Sequence, residues 1–348
     1  MCGPPRLLAD DDDPALDPGV IADRPLVEWN GWQAVLRHGG TAVLPWRSDY
    51  LTACAAGVTA SPSGQLPAGS IDQALVRIQK GRDATWSDLR WSWHALADGG
   101  RLLVTGANDL GIATWAKRLA ASFDQPGEVL ANHSRSRVVL FHRRGQSRSE
   151  WPCGVIYVTL RAPTPLDPTP PCIEVPPGVF SRSTLDGGTA LLVSYLEQVA
   201  PAERVLDLGC GGGHLGLNAL LRWPQAQAWF VDADVRAIEA VHANLGGELR
   251  AFHLHERATV TWWDVSETLP ATGFDLILAN PPCHSGTAVD LTTARAMFRI
   301  AHAALAPEGR LLVVANRQLP YEADLAALGR LEVMTQQGGF KLLSLRRW

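Results

Sequence analysis

The sequence predicts an α/β protein built from two related halves. Three observations indicate this class: a length of 348 residues, an internal repeat, and strand-like segments that alternate with helix-like segments through the second half. A chain of this length corresponds to about two domains of ~150 residues each. Because 46% of the residues are hydrophobic and 19% are charged, the chain can fill its cores, which excludes a disordered protein.

Composition also excludes several classes of protein. The 31 basic and 35 acidic residues give a formal net charge of −4, so a nucleic acid would have to bind a local basic patch. No apolar run approaches the ~20 residues that span a bilayer. Residues 1–13 end in four aspartates and do not resemble a signal peptide. The six cysteines form no CxxC pair, so we expect reduced thiols in a cytoplasmic protein and no bound metal. Because the chain has no apolar run of spanning length, we expect no membrane partner.

The two halves repeat each other. Residues 96–104 read LADGGRLLV and residues 305–313 read LAPEGRLLV, which is seven identities in nine. Two weaker similarities flank this match in the same order: 71–72 with 274–275, and 138–144 with 341–347. Chance similarity between two helix–turn–strand units is the alternative. Three matches at a nearly constant offset favour duplication of a whole domain.

A proline-rich segment separates the halves. Proline at this density continues neither a helix nor a central strand. We therefore predict a first domain over residues 1–145, a linker over 146–172 and a second domain over 173–348. Within the linker, residues 154–160 have the composition of an edge strand.

The second half is predicted to alternate strands and helices. The predicted strands span residues 204–208, 226–231, 259–263, 274–279 and 310–315. The predicted helices span residues 214–222, 237–245 and 294–305. Repeated strand–helix units give a mostly parallel sheet with helices on both faces. In such sheets, ligands bind at the carboxyl ends of the strands.

A glycine-rich loop follows the first of these strands, in the run Asp207-Leu-Gly209-Cys-Gly211-Gly-Gly213. Glycines allow the backbone to approach a ligand closely. Residues 211–216 also satisfy the dinucleotide pattern G-x-G-x-x-G, so the loop alone does not distinguish an adenosyl cofactor from a nicotinamide cofactor.

Two acidic residues follow the next strands. Asp232 is placed to hold ribose hydroxyls of either cofactor; the alternative is a turn or N-cap aspartate, with Asp234 nearby. Asp264 is placed to accept a hydrogen bond from an adenine amine, and a strand-terminating aspartate is an equal alternative.

The run Asn280-Pro281-Pro282 distinguishes between these cofactors. It leaves an apolar strand directly, and the two prolines fix the backbone there. If the Asn280 side-chain oxygen and the Pro281 carbonyl accept both hydrogens of a planar amine, the nitrogen lone pair points at an electrophile. Hydride transfer has no use for this arrangement. A plain strand-end turn is the alternative.

Together these residues resemble the S-adenosylmethionine-dependent methyltransferases of class I. More narrowly, the second half resembles the bacterial ribosomal RNA guanine-N2 methyltransferases, which carry a methyltransferase small domain. The motifs that carry the resemblance are Gly178-Val-Phe-Ser-Arg182, Leu185-Asp186-x-Gly188, Val205-Leu-Asp-Leu-Gly-Cys-Gly211, Asn280-Pro-Pro-x-His284, Val314-Ala-Asn316, Leu319-Pro-Tyr321 and Gly339-Phe-Lys341.

The resemblance implies two tandem Rossmann-like domains, each with a mostly parallel seven-stranded sheet. In the family the N-terminal domain is degenerate and serves stability and RNA docking. The first half agrees with this by itself, since no strand there ends in Gly-x-Gly and residues 77–79 stand roughly where the second half has Asn-Pro-Pro. A basic set supports docking, although a solvated strand end is the alternative: Arg135, Arg137, Arg143, Arg144 and Arg148.

The resemblance also implies roles for single residues. Asp207, Gly209 and Gly211 would line the methionine part of the cofactor, with Asp232 at the ribose, Asp264 at the adenine and Asn280 also against the cofactor. Asn280, Pro281 and Pro282 would orient the guanine amine. The substrate side would be contacted by Phe180, Arg182, Cys283 and His284.

One residue departs from the family pattern. The family has Phe or Tyr where this chain has Cys283, and cysteine forgoes about 1–3 kcal/mol of stacking on the target base. Either Phe180 or Trp263 supplies the stacking surface, or the target differs.

These inferences predict methyl transfer from S-adenosylmethionine to the exocyclic N2 of a guanosine in ribosomal RNA, with ribosomal RNA or an assembling subunit as partner. Three alternatives stay open. The acceptor is another planar amine, such as adenine N6 or a protein glutamine; the protein is an NAD(P)-dependent oxidoreductase; or it is an RNA-binding scaffold without cofactor.

Overall fold

The computed structural model describes residues 12–144, 156–159, 171–179, 186–282 and 291–348. These residues form two compact units, one with the described residues up to 144 and one with those from 156 onward. The predicted linker, residues 146–172, falls mostly outside the described residues, and its limits stay a prediction.

The first unit is a seven-stranded sheet with the order β3-β2-β1-β4-β5-β7-β6. Its pairs are parallel except those that involve β7, which runs antiparallel to both neighbours. Its strands and helices are β1 Leu26–Trp29, α1 Gln33–His38, β2 Gly40–Val43, α2 Arg47–Ala55, β3 Ala60–Ser61, β4 Ile71–Arg77, α3 Arg82–Ala95, β5 Leu96–Ala107, α4 Ile112–Phe123, β6 Glu128–His133 and β7 Ser136–His142.

A two-stranded antiparallel sheet precedes the second large sheet. It consists of β8, Ile156–Thr159, and β9, Cys172–Val175. The strand predicted over residues 154–160 is therefore present, and its partner is β9.

The second unit repeats the topology of the first, with the seven-stranded order β12-β11-β10-β13-β14-β16-β15. The predicted α/β class and domain duplication are thereby confirmed. Its strands and helices are α5 Gly187–Tyr195, β10 Arg204–Leu208, α6 His214–Arg222, β11 Gln227–Asp232, α7 Val235–Gly246, β12 Ala258–Trp262, β13 Phe274–Ala279, α8 Thr292–Ala304, β14 Leu305–Asn316, α9 Tyr321–Ala326, β15 Arg330–Gln337 and β16 Phe340–Arg346.

The sequence repeat forms the same irregularity in both sheets. β14 begins at Leu305, whereas the predicted strand begins at residue 310 and the predicted helix ends at 305. The reason is a shift of register: Leu305 pairs with Phe274, and regular pairing resumes only at Arg310. β5 and β4 of the first unit show the same shift. A Cβ on Gly309 would lie 2.4 Å from the Phe274 carbonyl oxygen, which explains a glycine in the repeat.

The core of the second unit lies on both faces of its sheet. Alternate strand residues point to opposite faces, so Val205 and Leu276 join an apolar cluster with helix α6, while Leu206 and Ile277 join another with helix α8. In β10, β11 and β13, burial on both faces leaves polar side chains only near the strand ends.

Helix α6 packs against β11 closely enough to require glycine. A Cβ on Gly216 would lie 2.4 Å from Phe230 Cε1, whereas a Cβ on Gly246, in helix α7, would meet nothing within 4 Å. Gly216→Ala is expected to lower the free energy of unfolding by about 1–3 kcal/mol through overpacking. The matched control, Gly246→Ala, is expected to be neutral or slightly stabilising. Urea unfolding measures both, and equal midpoints for the two variants would contradict the expectation.

Candidate active site

The predicted site residues of the second unit gather at the carboxyl ends of neighbouring strands. β10 pairs in parallel with β11 on one side and with β13 on the other. Asp207 is the penultimate residue of β10, Asp232 ends β11, and Asn280 directly follows β13. The topology therefore brings these three residues to one edge of the sheet, as predicted.

The glycine loop after β10 has a backbone that favours glycine. Gly209, Gly211 and Gly213 have φ angles of 74°, 52° and 85°, values that other residues adopt only with strain. The carboxylate of Asp232 holds the loop, since the Gly211 N–H donates to its Oδ2 at 2.9 Å. The loop then leads into the N-terminus of helix α6.

Asp207 has one carboxylate oxygen in use and one unused. Its Oδ2 accepts from the Gly216 N–H at 2.8 Å, while its buried Oδ1 has no hydrogen-bond partner among the described residues. Burial raises the pKa of Asp207 to about 8; the Gly216 N–H opposes this shift and the charge of Asp232 adds to it. An unpaired buried oxygen is costly, so this edge of the sheet is built for a donor that the chain itself does not supply.

Asp232 has both oxygens engaged with the backbone. Its Oδ1 accepts from the Asp234 N–H at 2.9 Å, and burial raises its pKa to about 6. The N-cap of helix α7 is Asp234, whose side chain accepts from the Arg236 N–H. Each oxygen of Asp232 keeps a further lone pair, and its contact with a ribose stays a prediction.

Asp264 closes a turn after β12. Its Oδ1 accepts from the Ser266 N–H at 2.9 Å and from the Ser266 hydroxyl at 2.6 Å. This is the strand-terminating role named as the alternative, and contact with adenine stays a prediction. Trp263 beside it is 5% exposed in the core, and its indole N–H donates to the Thr268 carbonyl at 3.1 Å. Trp263 as the stacking surface is therefore wrong, because its ring is buried in the apolar cluster and does not face a substrate.

Asn280 is held by helix α5. Its Nδ2 donates to Asp186 Oδ2 at 3.0 Å and to Thr189 Oγ1 at 3.0 Å. The neighbouring Pro282 carbonyl accepts from the Tyr321 hydroxyl at 3.5 Å. The prolines and Tyr321 fix the backbone of this run, while Asp186 and Thr189 hold the amide.

Four predicted substrate-side residues lie outside the described residues: Phe180, Arg182, Cys283 and His284. Their roles stay predictions, as does Phe180 as the stacking surface.

Comparison with known proteins identifies the family. Over 77% of this chain and 69% of its relative, the sequence is 33% identical to the ribosomal RNA large subunit methyltransferase G of Ectopseudomonas mendocina. The chain belongs to this family of ribosomal RNA methyltransferases. It is also 30% identical to the ribosomal RNA small subunit methyltransferase C of Pseudomonas entomophila, over 81% of both chains. Residues 172–344 match the methyltransferase small domain family.

A solved methyltransferase has the same architecture. The structure of the T. thermophilus 16S rRNA N2 G1207 methyltransferase, in complex with AdoMet and guanosine, superposes with a TM-score of 0.77 at 25% identity. The match covers 93% of this chain and 88% of that one, so it includes both units.

No helix among the described residues has the length and apolar character to cross a membrane.

This methyltransferase has a buried histidine at its glycine loop that sequence reasoning missed. His214 begins helix α6 and is 5% exposed. Burial lowers its pKa to about 4, against the opposing charge of Asp186, so the imidazole is neutral at pH 7. Its Nε2 has no partner among the described residues. The sequence offers no signal for this placement beyond proximity to the glycines.

The first unit fills the equivalent place with its own side chains. The sequence repeat and the strand registers make Glu28 the counterpart of Asp207 and Arg77 the counterpart of Asn280. Arg77 pairs with Glu28 at 2.7 Å and with Asp13 at 2.8 Å, and these three side chains are buried. Burial alone would lower the pKa of Arg77, but the charges of Glu28 and Asp13 raise it above its ordinary value.

The buried ion pairs of Arg77 with Glu28 and Asp13 lie where the second unit has its glycine loop. A Cβ on Gly31, in the loop after β1, would lie 2.2 Å from Arg77 Nε. The Arg77 side chain therefore packs directly against that loop. This supports the prediction that the first half has no cofactor site.

The arginines predicted for RNA docking differ in exposure and in hydrogen bonding. Arg143 donates through its Nη1 to the His94 carbonyl at 2.9 Å and to the Leu96 carbonyl, so its guanidinium is engaged with the backbone. Arg137 is half-buried, while Arg135 and Arg144 are exposed. Arg148 lies outside the described residues, and RNA docking by this set stays a prediction.

Proposed function

We infer that this protein transfers a methyl group from S-adenosylmethionine to the exocyclic N2 amine of a guanosine in ribosomal RNA. The observation that carries the inference is the Asn280 amide. Both hydrogens of its Nδ2 are used by Asp186 and Thr189, which leaves its oxygen as the group that meets a substrate. The family membership and the architecture shared with the 16S rRNA N2 methyltransferase supply the substrate class.

The residues at the strand ends fit the cofactor. When bound, S-adenosylmethionine supplies an electrophilic methyl on a sulfonium and carries a cationic α-amine. The unpaired Oδ1 of Asp207 is a buried acceptor suited to that amine. Gly209 and Gly211 would let the backbone approach the cofactor closely, Asp232 would hold the ribose, and Asp264 would hold the adenine. Asn280 would contact the cofactor as well as the target amine.

The chain needs no strong base for this reaction. The Asn280 oxygen and the Pro281 carbonyl accept hydrogen bonds from the target amine, which lowers delocalisation of the nitrogen lone pair into the ring and directs it at the methyl group. The nitrogen–methyl bond forms as the sulfur–methyl bond breaks and leaves a neutral thioether, and the methylated nitrogen, now cationic and acidic, loses its proton to water. The target base must leave its stack to enter the site, at a cost of a few kcal/mol. That cost is lower where the target lies in an unpaired region of ribosomal RNA, in a subunit or an assembly intermediate. The reaction then takes place in the cytoplasm.

The third glycine of the dinucleotide pattern does not distinguish the two cofactors, because Gly216 is required by its close contact with Phe230, a packing role that it would have with either. A nicotinamide cofactor is disfavoured by the run Asn280-Pro281-Pro282, for which hydride transfer has no use. Failure to bind NAD, with binding of S-adenosylmethionine, would eliminate the oxidoreductase.

Cofactor binding is expected to depend on pH through Asp207. A bound cation favours the carboxylate, whereas in the free protein the pKa of Asp207 is raised to about 8. Affinity for S-adenosylmethionine should therefore rise between about pH 7 and pH 8, by at most about tenfold per pH unit, and level off above that range. Titration calorimetry in two buffers of different ionisation enthalpy should detect up to one proton released per cofactor.

Two variants test this assignment. Asp207→Asn is expected to bind the cofactor more weakly and without this pH dependence. Asp275→Asn is the matched control, because Asp275 accepts backbone N–H groups of Glu203 and Arg204 at the opposite end of the same sheet. A wild-type affinity that stays flat over this range would contradict the role of Asp207.

The activity is tested by methyl transfer from labelled S-adenosylmethionine to unmethylated small-subunit and large-subunit particles and to their naked RNAs. Products are digested to nucleosides and identified by mass. N2-methylguanosine in one subunit is the expected result. Confirmed cofactor binding without methylation of any RNA would overturn the proposal and favour a protein or small-molecule amine.

A further inference from the structure

We propose that Asp186 and Thr189 are positioning residues that fix the orientation of the Asn280 amide, so that its oxygen and not its nitrogen faces the reacting amine. The proposal rests on the proposed function, because it explains how Asn280 is prepared to accept hydrogens. It assigns a role to the N-terminus of helix α5 in the chemistry.

The amide orientation follows from the chemistry of its partners. A carboxylate only accepts hydrogen bonds, and Asp186 Oδ2 lies 3.0 Å from Asn280 Nδ2. A flipped amide would bring its oxygen to the same distance from that carboxylate, and two acceptors repel each other. Thr189 Oγ1, at 3.0 Å, takes the second hydrogen of the same nitrogen. Asp186 therefore chooses the orientation, and Thr189 adds a second point of attachment.

Asp186 is itself held in place. It is the N-cap of helix α5, and its Oδ2 accepts from the Gly188 and Thr189 N–H groups at 3.1 Å each. The helix start is pressed against Phe340, since a Cβ on Gly187 would lie 2.9 Å from Phe340 Cε2. Phe340 belongs to β16, which pairs with β14, and β14 pairs with β13. Helix and strand thus meet at Asn280 through fixed contacts.

The orientation of the Asn280 amide determines whether it can accept a hydrogen bond from the substrate amine. An oxygen presented to the substrate accepts from an amine, whereas an amide nitrogen would donate and would repel an amine hydrogen. The negative charge of Asp186 also polarises the amide and strengthens its oxygen as an acceptor. Loss of this alignment is expected to lower kcat on the order of 10-fold to 100-fold, with little change in the KM for RNA or the Kd for S-adenosylmethionine.

The test uses the 348-residue chain and four variants of it. Asp186→Ala removes the carboxylate that accepts from the Asn280 amide. Thr189→Val replaces the hydroxyl with a methyl group, while the Thr189 backbone N–H still donates to Asp186. Thr189→Ser keeps the hydroxyl and should restore kcat. Ser194→Ala is the matched control on the same helix, because the Ser194 hydroxyl is exposed and donates to the Ala190 carbonyl. We expect Asp186→Ala and Thr189→Val to lower kcat, and the other two variants to stay near wild type.

Two further measurements separate positioning from a general structural role. The side-chain amide protons of Asn280, assigned by comparison with Asn280→Ala, should exchange slowly with solvent in the wild type and faster in Asp186→Ala and Thr189→Val. In single-turnover reactions, adding Asp186→Ala to Asn280→Ala should lower the rate no further, since Asp186 acts through Asn280. A full additional loss in the double variant would overturn the proposal.

The amide measurement keeps this proposal distinct from the proposed function. Slow exchange that is lost in both variants would support the positioning role even if the wild type methylated no RNA; only the substrate assignment would then fall. Exchange that is the same in the wild type and both variants would overturn the positioning role, whatever the activity of the protein.

Discussion

Asn280→Ala is expected to lower kcat for guanosine methylation by about 10²–10³-fold, the loss typical when one preorganised polar contact to the reacting group is removed. Asn280 Oδ1 is the side-chain acceptor that the site presents to the amine, because its Nδ2 is already bound to Asp186 and Thr189. Single-turnover methyl transfer, with nucleosides identified by mass, measures the loss. The Kd for S-adenosylmethionine should change much less than kcat.

Two other variants sharpen this expectation. Asn280→Asp keeps the shape of the side chain but places a carboxylate 3.0 Å from Asp186 Oδ2, and the repulsion between two carboxylates should make it as inactive as the alanine variant. Asn132→Ala, at an exposed asparagine on β6 of the first unit, is the matched control and should keep wild-type kcat. Equal kcat for Asn280→Ala and the control would remove Asn280 from the reaction.

The sequence predicts the strand-end residues of the site because parallel α/β topology has few solutions. Apolar strands separated by helices must place their carboxyl ends along one edge, and Asp207, Asp232 and Asn280 therefore meet there. β10, α6 and β13 begin and end at the predicted residues. Each has a strong local signal, either an unbroken apolar run or a change to glycine or proline at its end.

Contacts between distant parts of the chain were not predictable in the same way. Asn280 and Asp186 are 94 positions apart in sequence, and nothing in the local sequence around either residue indicates that their side chains meet. The ring of Trp263 was misplaced for a related reason. The sequence places Trp263 at the end of a predicted strand, but whether its ring is buried depends on the apolar cluster against which it packs.

The first unit shows the same limit. The sequence correctly indicates that Arg77 stands where the second unit has Asn280, but it does not show that Asp13, in the acidic run at the chain start, returns to pair with it. The four aspartates were informative only as evidence against a signal peptide. In the folded chain, one of them neutralises a buried arginine.

Arg77→Met is expected to lower the free energy of unfolding of the first unit by about 3–5 kcal/mol. Glu28 and Asp13 would stay buried without their cation, and removing one partner of a buried ion pair has a cost of this size. Glu28 would keep two backbone donors, the Ala34 and Val35 N–H groups at 3.0 and 3.1 Å, which are not enough to compensate a full charge.

Urea unfolding followed by tryptophan fluorescence includes a signal from this unit, because Trp86 and Trp93 are buried in its core, alongside the signal of Trp223 and Trp263 in the second unit. The matched control is Arg295→Met in the second unit. Arg295 pairs with Asp324 at 3.0 Å, but its side chain is 53% exposed, so solvent screens the pair and its loss should cost at most about 1 kcal/mol. If Arg77→Met destabilised the protein no more than Arg295→Met, the buried ion pairs of Arg77 with Glu28 and Asp13 would not be what stabilises the first unit.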